Sequence, residues 1–231
     1  DSLMSVGMMK IGPNGEILKS WKGGPDLGGN RTISAGDIDD GGRLILALSD
    51  DTLVKVDLEA TMASGNWTVI GTPIVTGLAK VDWVAPVRGQ PDQVMVANSG
   101  SIESIDTNAG AVLGAAVAMS GTVVKHTKGI DAHIFTTDYT ETGVKMYYAD
   151  SGAIQSKRLY RATGTISHSR LDKTSNNLTI VTQGYSGWHW DAVRGYSTVG
   201  ESERMIRQWR FSDLDALVEE KVVDDAKLAL S

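Results

Sequence analysis

The chain has 231 residues, with 26 Gly, 5 Pro and no Cys, and its 22 Lys and Arg against 28 Asp and Glu leave a formal charge of −6. The missing cysteines exclude a disulfide framework, a zinc–thiolate centre and a cysteine nucleophile, and the acidic balance argues against nucleic-acid binding, which needs cations to displace phosphate counterions. With 41% hydrophobic and 22% charged residues, the chain is globular in composition and long enough to bury a core without staples.

No apolar run approaches the 18 residues of a membrane span. The first residues, Asp1 to Gly7, show no basic segment followed by an apolar run, so no signal peptide is visible, although a cleaved one would leave such a start. Asn30, Asn66 and Asn177 each open an Asn-x-Thr triplet, a pattern that chance supplies in any Thr-rich chain. The absence of Cys fits a secreted, a virion-borne and a cytosolic protein alike. A composition rich in Thr, Ser, Gly and Ala suits an extracellular or virion structural component, and the cytoplasm stays open as an alternative.

Long amphipathic helical patterns are almost missing, and short β-branched runs separated by Gly, Asp, Asn and Ser predict an all-β fold. The first hairpin is Met8–Ile11 and Ile17–Trp21 around the turn Gly12-Pro13-Asn14-Gly15. Strands Arg31–Ala35, Leu44–Leu48, Leu53–Val56 and Trp67–Ile70 follow, with 57–65 read as a polar turn. Next come Lys80–Val84, Val94–Ala97, Ile102–Ile105 and Ala111–Leu113. Then come Val123–Thr127, His133–Thr136, Val144–Tyr148 and Ala153–Gln155. The last set is Thr165–Ser169, Leu178–Val181, Ile206–Trp209 and Ala216–Val218. Asn-Gly and Asp-Ser-Gly supply the positive φ angles of tight hairpins. Ile11, Val56, Ile105, Tyr148 and Trp209 recur at intervals of 45, 49, 43 and 61. The first three intervals match one four-stranded repeat, and the last holds an insertion between about Gly184 and Glu203.

Segments such as Asp39-Asp40-Gly41-Gly42-Arg43-Leu44-Ile45-Leu46-Ala47-Leu48 and Gln208-Trp209-Arg210-Phe211-Ser212-Asp213-Leu214 resemble blades of β-propellers of the WD40, NHL and quinoprotein type. The resemblance names no subfamily, because the Gly-His and Trp-Asp signatures and the Kelch glycine pairs are missing. It implies a single propeller of about five four-stranded blades, at 1–29, 30–76, 77–120, 121–163 and 164–223, with 224–231 as a closing strand or tail. A β-sandwich and a β-helix are the alternatives. The first blade lacks its two inner strands, so closure is incomplete unless Asp224 to Ser231 or Ser2 to Val6 contributes, and an unpaired edge would be a docking place for another chain. A rival reading turns Ser212 to Ala229 into a helix, with Ser212 and Asp215 as its capping pair.

Three groups of residues are candidates for chemistry. Asp82, His126 and His168 stand four or five residues after a glycine at the start of successive repeats, where a propeller channel would be, and could form a transition-metal or general-base set or be ordinary polar channel residues. Asp37, Asp39 and Asp40 lie in a glycine-flanked acidic loop that resembles calcium loops but also serves as a turn. The insertion concentrates Tyr185, Trp188, His189, Trp190, Arg194 and Tyr196 between glycines, the residue types of binding hot spots. Trp188 and Trp190, two apart, point to one side of an extended strand. Otherwise they fill space between blades.

No nucleophile elbow, phosphate loop, HExxH or dinucleotide fingerprint is present, and no cofactor is implied. The resulting expectation is a non-catalytic binding or assembly module that docks a protein partner or assembly neighbour through its face loops. The alternatives are a channel-site hydrolase or lactonase, metal-assisted through Asp82, His126 and His168, and a carbohydrate-binding lectin.

Overall fold

The computed structural model describes residues 6–23, 27, 31–128, 131–137, 143–160, 165–183, 187–191, 195–199 and 204–223. The chain divides into two compact units, Asp1–Val117 and Ala118–Ser231.

Unit 1 opens with the hairpin β1 (Val6–Ile11) and β2 (Ile17–Gly23). The meander β3 (Ile33–Ile38), β4 (Arg43–Leu48), β5 (Thr52–Asp57) and β6 (Val69–Val75) follows, with helix α1 (Leu58–Ser64) between its last two strands. A second meander runs through β7 (Trp83–Pro86), β8 (Gln93–Ala97), β9 (Ser101–Asp106) and the two-residue β10 (Ala111–Val112). The short β11 (Val117–Ala118) lies at the boundary between the units.

Unit 2 holds the meander β12 (Val123–Thr127), β13 (His133–Thr137), β14 (Gly143–Asp150) and β15 (Ala153–Tyr160). Its last sheet contains β16 (Thr165–Asp172), β17 (Asn177–Gln183), β20 (Arg204–Arg210) and β21 (Asp213–Val223). Between β17 and β20 the chain makes a separate hairpin of β18 (Gly187–Asp191) and β19 (Gly195–Val199). Strands adjacent in sequence pair antiparallel in each meander, and β17 and β20 pair antiparallel across the insertion between them. At the β14–β15 turn, for example, Ser151 and Gly152 take φ of 48° and 90°, the left-handed pair that a two-residue hairpin loop needs. Among the described residues no helix is long and apolar enough to cross a membrane.

Central strands β4 and β8 are buried on both faces, β4 from Ile45 to Leu48, which requires their sheets to be covered on both sides there. In β8 all five residues are buried. In unit 1, Ala35, Ile45, Ala47 and Leu53 of one sheet pack with Val84, Val94, Val96 and Ile105 of the next. In unit 2, Phe135, Met146 and Leu159 pack with Ile166, Leu178, Ile180 and Trp209.

Two local readings change. Residues 57–65 are not a plain turn. Asp57 caps α1 by accepting the Ala60 N–H at 2.9 Å, and the Gly65 N–H closes the helix on the Thr61 carbonyl at 3.0 Å. Leu58, Glu59, Ala60, Met62 and Ala63 are good helix formers, and both ends of the helix are satisfied. The C-terminal helix is overturned as far as Val223, because 213–223 is strand β21, paired with β20 from Arg204↔Val223 to Arg210↔Asp213. Asn176 fixes the turn before it. Its carbonyl accepts the Phe211 N–H at 3.0 Å and its Oδ1 the Ser212 N–H at 2.7 Å, so the chain reverses before a helix can nucleate. Residues 224–231 and 1–5, the suggested closing segments, lie outside the described residues.

Trp209 is 1% exposed in the unit 2 core. Trp209→Ala is predicted to cost ~3–5 kcal/mol of stability through the cavity it leaves, read as a lower urea midpoint at an unchanged m-value. A loss under about 1 kcal/mol, the scale of a surface change, would contradict this packing.

Candidate functional site

The aromatic insertion stands outside the blade it interrupts. Strand β17 pairs directly with β20, from Asn177↔Arg210 to Thr182↔Met205, so the sheet is continuous without the residues between them. Those residues form a two-stranded ribbon with the pairs Trp188↔Thr198, His189↔Ser197 and Trp190↔Tyr196. Four of the six candidates, Trp188, His189, Trp190 and Tyr196, thus meet within three adjacent rungs of one hairpin. Tyr185 and Arg194 lie outside the described residues.

In the acidic loop the three carboxylates serve three separate partners. Asp39, buried, accepts the backbone N–H groups of Gly41 and Arg43 through Oδ1, each at 2.9 Å, and the Arg43 Nε–H through Oδ2 at 2.7 Å. Asp40 accepts the Gly89 N–H at 3.0 Å and faces Arg88. Asp37 accepts the N–H of Ile38 at 2.9 Å. This is the bonding of a turn held shut by its first aspartate.

The channel candidates divide between the units. Asp82 precedes β7 in unit 1 and pairs at 3.1 Å with Lys80, both well exposed. His126, on β12 opposite Ile134, and His168, on β16 opposite Val181, belong to unit 2. The His126 pKa is lowered by burial and by Lys128 and Lys125. Among the described residues no three His, Cys, Asp or Glu side chains come together as a metal-holding group.

His133 is the polar centre that sequence reasoning missed. It is 1% exposed, on β13, with Nδ1 2.8 Å from the Asp131 carbonyl and 3.1 Å from Thr127 Oγ1, and Nε2 2.8 Å from Ser169 Oγ on β16. A carbonyl can only accept, so the proton is assigned to Nδ1, and Nε2 accepts from the serine hydroxyl. Burial, above all, lowers its pKa to about 4. Such an imidazole is a weak base at neutral pH. Its place is that of a tie between two neighbouring sheets. Glu103 is the second missed group. It is 1% exposed, its carboxyl accepts the Gly77 N–H at 2.8 Å, and burial raises its pKa. Nothing in the one-dimensional pattern marks either residue, since a strand position is buried only by what packs on it.

A cleft of about 1050 Å³ lies in unit 1, between the β1–β2 hairpin and the β3–β6 sheet. Its walls include Lys10, Gly36, Ile38, Leu44, Leu46 and Met62.

The His133 environment sets a pH dependence. A histidine whose pKa is depressed on folding favours the native state above its unfolded value of about 6.5, and that contribution is lost as pH falls towards about 4. Unfolding free energy is predicted to drop by on the order of 3 kcal/mol across that window. His133→Gln, less stable at pH 7.5, should show a flatter profile in the same urea titrations. An unchanged profile would rule out this tie.

No protein-family model matches the chain, and no curated protein does. Solved structures do. U3-55K matches with a TM-score of 0.55 at 11% identity, over 94% of this chain and 58% of that one. The WD40 domain of SCAP from fission yeast matches at 0.52 and 14%, over 96% of this chain and 52% of that one. The N-terminal domain of Nup159 matches at 0.50 and 11%, over 86% of this chain and 47% of that one. A further match is a structure of S. cerevisiae Dbp5 bound to Nup159, Gle1, IP6 and ADP. The chain therefore spans about half the length of the structures it is similar to. At these identities the likeness concerns fold alone, and with the repeated antiparallel meanders it shows that the chain is an all-β protein with the β-propeller fold, similar to WD40 domains.

Proposed function

We propose that the chain is a non-catalytic docking module that binds a protein partner through the β18–β19 ribbon. The observation that carries this reading is the continuity of β17 with β20. A blade complete without its insertion leaves that insertion available for recognition. Trp188, His189, Trp190 and Tyr196 on the ribbon, with Tyr185 and Arg194 of the same insertion, are residue types of binding hot spots, the aromatic ones supplying contact area at low rotamer cost. The structure of Nup159 with bound Dbp5 and Gle1 supports the reading by analogy of fold. The Thr-, Ser-, Gly- and Ala-rich composition suits an extracellular or virion setting for that docking.

The test is a photo-crosslinking residue at position 196, introduced into the protein in its native setting, with a Trp188→Ala/Trp190→Ala version as control. Cross-links to a defined protein neighbour are expected. The double variant should weaken that contact by about 100-fold or more, as loss of hot-spot side chains does, and leave the melting temperature unchanged. Intact cross-linking with a collapsed melting temperature would make the tryptophans packing residues and overturn the proposal. Glycan binding lost on Trp188→Ala would replace it with the lectin reading. Bound metal lost on His126→Ala and His168→Ala would replace it with the hydrolase reading.

A further inference from the structure

The cleft of unit 1 has walls from three elements. One is β1, at Gly7 and Met9. The second is the face of the β3–β6 sheet that carries Ile38 and Leu46, and the third is α1, at Met62. Leu46 and Met62 are buried and form the floor. Ile38 and Met9, each 55% exposed, stand at the mouth. At about 1050 Å³ the cleft lies at the upper end of small-molecule sites, which run to about 1,000 Å³.

Charge selects the kind of occupant. Two cations and two anions line the cleft, and each is engaged within the protein. Lys10 pairs with Glu59 of α1. Arg43 donates to Asp39 at 2.7 Å and to the Pro91 carbonyl at 2.6 Å. Asp57 accepts the Ala60 N–H at 2.9 Å as the cap of α1. A charged ligand would give up its hydration here and would have to displace one of these partners to gain a counter-charge. A peptide would bring polar backbone groups that an aliphatic lining leaves unbonded. An uncharged, hydrocarbon-rich molecule meets neither cost, and the two methionine thioethers adapt to its outline.

Glycine placement fits the same occupant. Gly36 stands inside β3 opposite Leu46, and a strand-interior glycine weakens a sheet but admits close approach. A Cβ there would come within 2.7 Å of Leu46 Cδ2, so glycine lets Leu46 lie across the strand and keeps the floor low. Gly7 shares a face of β1 with Met9, and a Cβ on it would meet nothing nearer than the Trp21 carbonyl oxygen at 4.0 Å. That wall is therefore open to a ligand.

We infer that this cleft is a binding site for an uncharged, largely hydrocarbon small molecule, held between β1, one face of the β3–β6 sheet and α1, and separate from the β18–β19 ribbon. The probe is Nile red, an uncharged apolar dye, titrated into the full chain beside the anionic dye anilinonaphthalene sulfonate. Nile red should bind saturably, at about one equivalent per chain with a blue-shifted emission, and the anionic dye at least tenfold more weakly. Ile38→Lys puts an unpaired charge at the mouth, and Gly7→Phe fills the open wall. Each should weaken Nile red binding at least tenfold, and their positions on two different walls keep the result from resting on one local folding effect. Trp188→Ala should bind the dye as the unaltered chain does, which separates this site from the ribbon. The inference is overturned if Nile red partitions without saturation, if the anionic dye binds as tightly, if either cleft variant binds undiminished, or if Trp188→Ala abolishes binding.

Discussion

A strand that is apolar on both faces cannot rest against a single partner layer. Strand β8 is buried at every residue, and β4 is buried from Ile45 to Leu48. Burial of that kind repays roughly 25 cal/mol per Å² only if another sheet lies on each side. Within each unit this requirement brings neighbouring meanders face to face, as Ala35, Ile45 and Ala47 pack with Val84, Val94 and Val96 in unit 1. In unit 2 it brings Phe135 and Met146 against Ile180 and Trp209. Beside the exposed Ile38 a cleft opens between the β1–β2 hairpin and the β3–β6 sheet.

Polar groups specify how the sheets meet. His133 reaches Ser169 across two sheets at 2.8 Å, and Lys157 donates to the Phe211 carbonyl at 2.6 Å while lying over the Phe211 ring. Arg43 performs a similar service in unit 1, bonded to Asp39 of its own turn and to the Pro91 carbonyl of the following sheet at 2.6 Å. Apolar faces alone would slide. These bonds fix how far each sheet advances on its neighbour. The β18–β19 ribbon is what the last blade does not use, inserted between two strands that already pair.

The hairpins and the repeat were legible because their signals are local. Gly-rich turns and β-branched runs recur at 45, 49 and 43 residues, and the longer interval of 61 marks the insertion. The failures lie where tertiary contacts decide. Ser212 to Ala229 carries enough helical pattern to suggest a helix, and the pairing of 213–223 with β20 overrides it. Asp57 to Gly65 looks like a polar turn until its two caps are counted together. Of the candidate sites, the grouping of Trp188, His189, Trp190 and Tyr196 could be read from proximity in sequence, whereas the partners of Asp40 and the burial of His133 and Glu103 depend on residues far along the chain or on neighbouring sheets.

The central claim, that the last blade is complete without its insertion, has a direct measurement. Residues 184–203 are replaced by Asn-Gly, joining Gln183 to Arg204 next to the Thr182↔Met205 pair, and urea unfolding is compared with that of the intact chain. The account predicts a cooperative transition with a midpoint equal to or above the original, since a two-residue turn closes the loop at less entropic cost. A non-cooperative or strongly lowered transition would show that the ribbon holds the blade together, and would contradict the account.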